Sequence, residues 1–474
     1  MKEDVDVINT VKKDNYLKAG SLYLIGSIFN KGMVFLTIPI FTRILTIHEY
    51  GVINTYLSWV TIFVSILGLS LDKGVMIGFS EYEEDIDDFM STITIITLLN
   101  SVLISFLIIA VFYYSNINIG FSLMILVIAL FQASSTAVLR NYDIYLKFRY
   151  EYIKKSALEI LPNLLTLVSA ILIIVYFLNN EKHLGKIIPH SSFTVIFSIL
   201  VLNQIFKKSK AFNKTHAKIA LSVSIPFIFH GMSMTLLNQS DRIMITSLVN
   251  ASETGIYSLI YNFSMAGTVI FLSLNNVWLP WFTKNMKDRA IDNINEKAAV
   301  FLLLMTLPTV GLILTAPELL RIIAPEEYWG ADVSIPLIIL SSYLIFIYSL
   351  YINIEHIHKK SKSVAVNTIV ATVINIGLNY YIIQLYGYHG AAATTFVSYL
   401  ILFYLHYRGA RKLESELLPL KLLIKPLFLI TLNVLIYYLF LDAFSVRWYL
   451  LILQMGYIAL SNFDKLTIFF KRKD

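Results

Sequence analysis

This sequence predicts an all-α membrane protein of about fourteen transmembrane helices, and three observations predict it. Of 474 residues, 57% are hydrophobic and only 15% charged, with a mean hydropathy of +0.69. Soluble chains are about a quarter charged, so this one lacks the charge to cover a water-facing surface. Apolar stretches of about 20 residues, the length that crosses a bilayer, recur along the whole chain with short polar connections. Finally, 29 of the 38 Lys and Arg fall in alternate connections, against five in the others and four inside apolar stretches. By the positive-inside rule both termini are cytosolic, which requires an even number of spans.

The elements follow in order. A polar segment, 1–18, carries no small-residue cleavage site after a short apolar core, so it reads as a cytosolic tail and not a signal peptide. Apolar stretches then predict spans near 19–42, 52–78, 90–113, 120–139, 157–178 and 188–205. A second set follows near 219–248, 255–281, 298–316, 333–355, 364–384 and 390–406, with two more at 422–441 and 447–468. The loop "SEYEEDIDDF" (80–89) is the one inner connection without a basic residue. It reads as a solvated loop or as a gating contact to basic loops of the other half. Pro39, Pro162, Pro226 and Pro308 fall inside spans, where each removes a backbone bond and kinks or statically bends the helix.

Two places in the chain share an order of features. "TRILT" (42–46) precedes Gly51 and "LSLDKGV" (69–75); "DRIMIT" (241–246) precedes Gly255 and "LSLNNVW" (272–278). A duplication is expected: an N-terminal six-helix bundle over 1–218, a C-terminal six-helix bundle over 219–420, and two additional helices over 421–474. Six is even, so both bundles insert the same way up around a pseudo-twofold axis along the membrane normal, as in transporters built from parallel repeats. Such halves enclose a cleft that opens to either side.

Composition also excludes chemistry. Cysteine is absent, which removes disulfides, thiolate metal sites and a thiol nucleophile. The nine histidines show no paired metal spacing, and His356 and His358 lie in a solvated inner loop. No metal, no cofactor and no phosphate-cradling glycine loop is expected. The net charge of +7 is spread along inner loops, which fits a membrane and not nucleic acid.

The segment "KKSKSVAVNTIVATVINIGLNYYIIQLYGYHGAAATTFVSYLILFYLHYR" (359–408) resembles the eleventh and twelfth spans of bacterial polysaccharide flippases. "SLYLIGSIFNKGMVFLTIPIFTRILTIHEYGVINTY" (21–56), "LGLSLDKGVMIGF" (67–79) and "IIAPEEYWGAD" (322–332) are similar to the same family. It is the Wzx-type polysaccharide transporter branch of the multidrug/oligosaccharidyl-lipid/polysaccharide exporter superfamily. The resemblance implies alternating access in the bacterial plasma membrane. It also implies a polyprenyl-pyrophosphate-linked oligosaccharide as cargo, with membrane lipids and other polysaccharide-assembly proteins as partners.

Polar residues inside spans are then the candidate site, because a charge at bilayer depth is costly and normally faces a cavity. Lys31 is expected about 20 Å into the first span, Lys73 near the inner mouth, and Arg43 and Arg242 near the outer surface. Together they form an expected cationic path for a pyrophosphate headgroup, arginine binding by its fork and lysine as a point charge. Arg43, Arg242 and Lys73 also lie near enough to an interface to snorkel, as does Lys425. Asn238 and Gln239 are placed to bind sugar hydroxyls or to bridge helices. Asn275 and Asn276 occupy the repeat positions of Asp72 and Lys73. Asp72 and Asp241 are candidate ion-coupling sites, or simple counter-charges. Glu159 and Glu355 are expected near the cytosol and hydrated. The competing readings are a multidrug or cation exporter, which predicts an acid-lined cavity, and a membrane polymerase or acyltransferase, which leaves the repeat unexplained. A non-enzymatic transporter is the expected answer.

Overall fold

A computed structural model describes residues 32, 33, 35–115, 120–264 and 266–461, and every regular element among them is helical. In chain order they are α1 (Phe35–Ile44), α2 (Ile47–Leu67), α3 (Leu71–Glu81), α4 (Ile86–Ser115) and α5 (Leu123–Phe148). Next come α6 (Tyr152–Tyr176), α7 (Leu184–Lys208), α8 (Lys214–Leu248), α9 (Ala251–Ser264) and α10 (Ala266–Lys287). Then α11 (Ile291–Ile323), a 3₁₀ segment (Glu326–Ser334), α12 (Ile335–Ile357), α13 (Ser361–Leu413), α14 (Lys421–Leu439) and α15 (Phe444–Ser461). Ten spans among the described residues are long and apolar enough to cross a membrane. The 53-residue α13 covers two expected spans in one element, bent at Gly387, whose φ of 54° and ψ of −137° suit glycine alone. The chain divides into two units, Met1–Gly255 and Ile256–Asp474.

In the first unit, α2 begins with a capping box. The Thr46 hydroxyl accepts from the Glu49 amide at 3.2 Å, and Glu49 returns a bond to the Thr46 amide at 3.0 Å. The other Glu49 oxygen accepts from the Lys182 amide at 2.7 Å, tying the start of α2 to the loop before α7. The expected span over 52–78 is broken. Leu69 and Ser70 both adopt φ of 52°, a left-handed conformation that non-glycine residues rarely hold. The break is supported from α4: Asn100 Nδ2 donates to the Ile66 and Leu67 carbonyls at 3.1 and 2.8 Å. Asn100 thereby satisfies acceptors that the end of a helix leaves open.

The helix α3 then packs against α8 through small residues; a Cβ on Gly74 would sit 3.2 Å from that of Ala220. Beneath it lies an apolar cluster from α3, α4, α5 and α7 that includes Val75, Phe89, Leu146 and Ile205. The outward face of α4 behaves differently. Leu99, Val102, Leu103, Phe106 and Val111 are all exposed, an arrangement that only hydrocarbon tolerates.

One boundary corrects the sequence reading. The span expected to end at residue 139 continues to Phe148, which moves Arg140 from a loop into α5. No proline or glycine stops it, and Tyr142, Tyr145 and Leu146 continue a buried stripe at helical spacing.

The second unit is organised around aromatic stacking and α11. Trp278 is buried against Phe282 and Phe301, with centroids 5.4 and 4.8 Å away. Thr306 of α11 bonds Tyr343 of α12 at 2.8 Å. Arg447, one of the five charges counted with the outer connections although it opens the span expected from 447, is 1% exposed within α15. It donates to the Leu314 carbonyl at 2.8 Å and pairs with Glu318 of α11. Burial of so polar a group is tolerable only because both partners are there. Glu355, expected to be hydrated, is 1% exposed and paired with the equally buried His406 of α13.

Candidate functional site

The break before α3 shapes a polar hollow inside the first unit. With Ser70 as its N-cap and no side-chain cap, α3 starts at a helix end within the membrane-spanning region. Its first turn carries Asp72, favoured there by the helix dipole, and Lys73, which pairs with Asp72 at 3.1 Å. A cavity of about 180 Å³ opens at this point, walled by Ser65, Ser70, Lys73, Arg140, Asn141 and Thr235 among others. A second cavity of about 400 Å³ shares Asp72 and Arg140 and reaches Thr136, Asp143, Leu158 and Glu159.

Charges in this hollow are unevenly matched. Lys155 of α6 is 8% exposed and binds both Asp143, at 3.0 Å, and Glu159. Asp72 is taken up by Lys73. Arg140 forms no direct ion pair with a described residue, although Asp72 acts on it electrostatically. Facing a cavity without a direct ion pair among the described residues, this guanidinium has the charge and forked donors to accept an anion, beside the carboxylates of Asp72, Asp143 and Glu159 in the same wall. Asn141 is held beside it by a bond to Thr97 at 3.0 Å.

A polar seam runs between α2 and α8. Thr55 bonds Thr246 at 2.5 Å, Ser58 donates to Gln239 at 3.0 Å, and Ser65 bonds Thr235 at 3.2 Å at the cavity wall. Thr246 continues to Thr254 at 2.6 Å. In the same seam Arg242 donates to the Asn238 carbonyl at 3.1 Å and to Gln239 at 3.3 Å. Where the seam ends, Gly51 and Gly255, the two glycines matched by the repeat, meet at backbone distance. A Cβ on Gly51 would overlap the Ala251 carbonyl, and one on Gly255 would overlap that of Ile47.

The residues expected from the sequence divide as follows. Lys31 lies outside the described residues. Lys73 and Asp72 stand in the cavity wall. Arg242 and Asp241 are 5% and 1% exposed, within the seam, with Asn238 and Gln239 half-buried beside them. Arg43 is exposed at the end of α1 and donates to the Pro39 carbonyl at 2.9 Å. Asn275 and Asn276 belong to the second unit; the Asn275 side-chain oxygen is buried without a hydrogen bond, and Asn276 is exposed. Sequence reasoning missed Arg140 and Asp143, although the stripe through Tyr142, Tyr145 and Leu146 signalled the helix that carries them. The acidic loop finds basic partners in its own unit: Asp87 accepts from Tyr145 at 2.5 Å and pairs with Arg149 and Lys208 at 3.3 and 3.5 Å. Among the described residues no cluster of metal-ligating side chains occurs.

Comparison with known proteins bears on the family and the fold. Residues 16–286 match the family described as polysaccharide biosynthesis protein. An uncharacterised membrane protein of Haemophilus influenzae is 22% identical over 377 residues, covering 76% of this chain and 89% of its own length. Among solved structures, the lipid II flippase MurJ in an inward closed conformation superimposes with a TM-score of 0.61 at 17% identity, over 92% of this chain and 100% of that one. A multidrug resistance MATE family transporter of the MOP superfamily, inward-facing, gives 0.58 at 12% identity, over 81% and 98%. Neither is named as an enzyme. With more than half its length matched, the chain belongs to the polysaccharide biosynthesis protein family, on the all-helical multi-pass membrane fold of lipid flippases and multidrug transporters.

Proposed function

We propose that the protein is a flippase that carries a polyprenyl-pyrophosphate-linked oligosaccharide from the inner to the outer leaflet of the bacterial plasma membrane by alternating access. Both termini are then cytoplasmic, and other polysaccharide-assembly proteins supply and consume the cargo. Arg140 carries the reading: a cavity-facing guanidinium without a direct ion pair among the described residues offers an anionic headgroup the charge and forked donors that it needs. The α3 helix end adds a positive partial charge beside it, with Lys73 paired to Asp72 at the same turn. Lys31, Arg43 and Arg242 extend the proposed cationic path. Asn238, Gln239, Asn275 and Asn276 are proposed for the sugar hydroxyls, and Asp72 and Asp241 as ion-coupling groups.

The test is leaflet exchange of labelled polyprenyl-pyrophosphate glycan in proteoliposomes. Charge-assisted hydrogen bonds contribute about 1.5–3 kcal/mol, so Arg140→Gln is expected to slow exchange roughly 10- to 100-fold. Unchanged exchange in that variant removes Arg140 from the path. A second reading, export of an organic cation, draws on Asp72, Asp143 and Glu159 in the same cavity. Extrusion of a cationic dye by the wild type, with no glycan exchange, would establish it.

A further inference from the structure

The second unit holds a pocket that the transport reading does not use. It lies where α11 and α14 begin, measures about 420 Å³, and shares no residue with the Arg140 cavities. On α14, Lys421 and Lys425 stand one turn apart and both are exposed. Neither has an ion-pair partner among the described residues. Glu296 of α11 is the one acidic side chain in the wall, so the pocket is net positive. Deeper in, Val300 and Leu303 of α11 face Leu429 of α14, and most of the lining is apolar.

This pocket is built and held. Asn295 Nδ2 donates to the Glu416 carbonyl at 2.9 Å while its Oδ1 accepts from the Leu418 amide at 2.7 Å, which clamps the α13–α14 connection onto α11. Tyr351 of α12 donates to the Leu418 carbonyl at 3.0 Å from the other side. Pro426, also in the wall, lacks the amide that would continue the helical ladder to residue 422. The order along α14 is thus two ammonium groups at the helix start and an apolar channel about 6–12 Å further into the span.

That sequence of chemistry matches an amphiphile standing in one leaflet. Phosphate meets the lysines, and an acyl chain follows Val300, Leu303 and Leu429. Basic pockets between membrane helices recognise anionic headgroups in this way. We propose that the α11–α14 pocket binds one anionic phospholipid of the surrounding leaflet. The lipid is held as a structural ligand that seats α14 against α11, and it is not cargo.

Native mass spectrometry of the full chain in detergent tests this, with phosphatidylglycerol and phosphatidylcholine titrated separately. The wild type is expected to retain one phosphatidylglycerol in preference to phosphatidylcholine. The double variant Lys421→Gln/Lys425→Gln is expected to bind it about 30-fold more weakly, with an unchanged melting temperature in lipid-free detergent. Val300→Trp, which fills the apolar channel and keeps both charges, is expected to displace the lipid as well. Equal retention of phosphatidylcholine, or phosphatidylglycerol binding unaffected by the double variant, overturns the proposal. So does displacement of the lipid by inorganic phosphate alone, which would indicate a free-anion site, or stronger retention of polyprenyl phosphate, which would assign the pocket to the transported lipid.

Discussion

At the scale of single residues, two arginines that sit inside helices, Arg447 and Arg140, are opposites. Arg447 is 1% exposed and bound by Glu318 and the Leu314 carbonyl, whereas Arg140 faces a cavity without a direct ion pair among the described residues. The first joins helices and the second is free to receive an anion. Removing one partner of a buried pair leaves an uncompensated charge and costs about 3–5 kcal/mol. Glu318→Ala is therefore expected to lower the melting temperature in detergent markedly, and Glu318→Leu/Arg447→Met to recover most of it. At the proposed transport site, Arg140→Lys is expected to fall between wild type and Arg140→Gln in exchange rate. A lysine restores the charge and loses the fork. Equal rates for the two variants would show that charge alone is not what the cavity uses.

At the scale of elements, the discontinuity between α2 and α3 does most to make a site. Continuous helix through 68–70 would carry Asp72 and Lys73 on around the barrel of α2; two left-handed residues in succession redirect the chain and start a new helix at the cavity. Such a turn persists only when its surroundings hold it, and Asn100 is one of the supports. Asn100→Ala is expected to destabilise the protein by about 1–3 kcal/mol through the two carbonyls left unbonded, and to reduce transport with it. Thermal melting and glycan exchange on one preparation check both. A variant with full stability and full exchange would show that the break needs no support from α4. Neither Asn100 nor the left-handed pair is recognisable in the sequence, because Leu69 and Ser70 have no propensity for that conformation.

At the scale of the whole molecule, the prediction concerns sidedness. If basic connections mark the cytosolic face, fluorescent protein fused to the C-terminus is expected to fluoresce in cells, since it matures in the cytosol. Alkaline phosphatase fused after Asn179, in the α6–α7 loop, is expected to be active outside. The reverse pattern would place the Arg140 cavity and the α11–α14 pocket on the other side of the membrane and would reverse the direction of transport proposed here.

Membrane residence, the all-helical class and the approximate place of nearly every span follow from composition and from apolar run length. A bilayer demands about 20 apolar residues per crossing whatever the neighbours are. Resemblance added the family, and Lys73 with Asp72 was already marked by the cost of charge in a span. Tertiary structure alone decided which polar residues share a cavity. Arg140 passed as a loop residue until α5 ran on to Phe148, Arg447 as a cation of the outer connections until Glu318 buried it, and Glu355 as hydrated until it met His406. Arg140 was hidden by the longer reach of α5, and the physical reason is common to the other two. Run length reports the transfer of a segment into lipid, but the partner that makes a buried charge affordable comes from a distant part of the chain and leaves no trace in the local pattern.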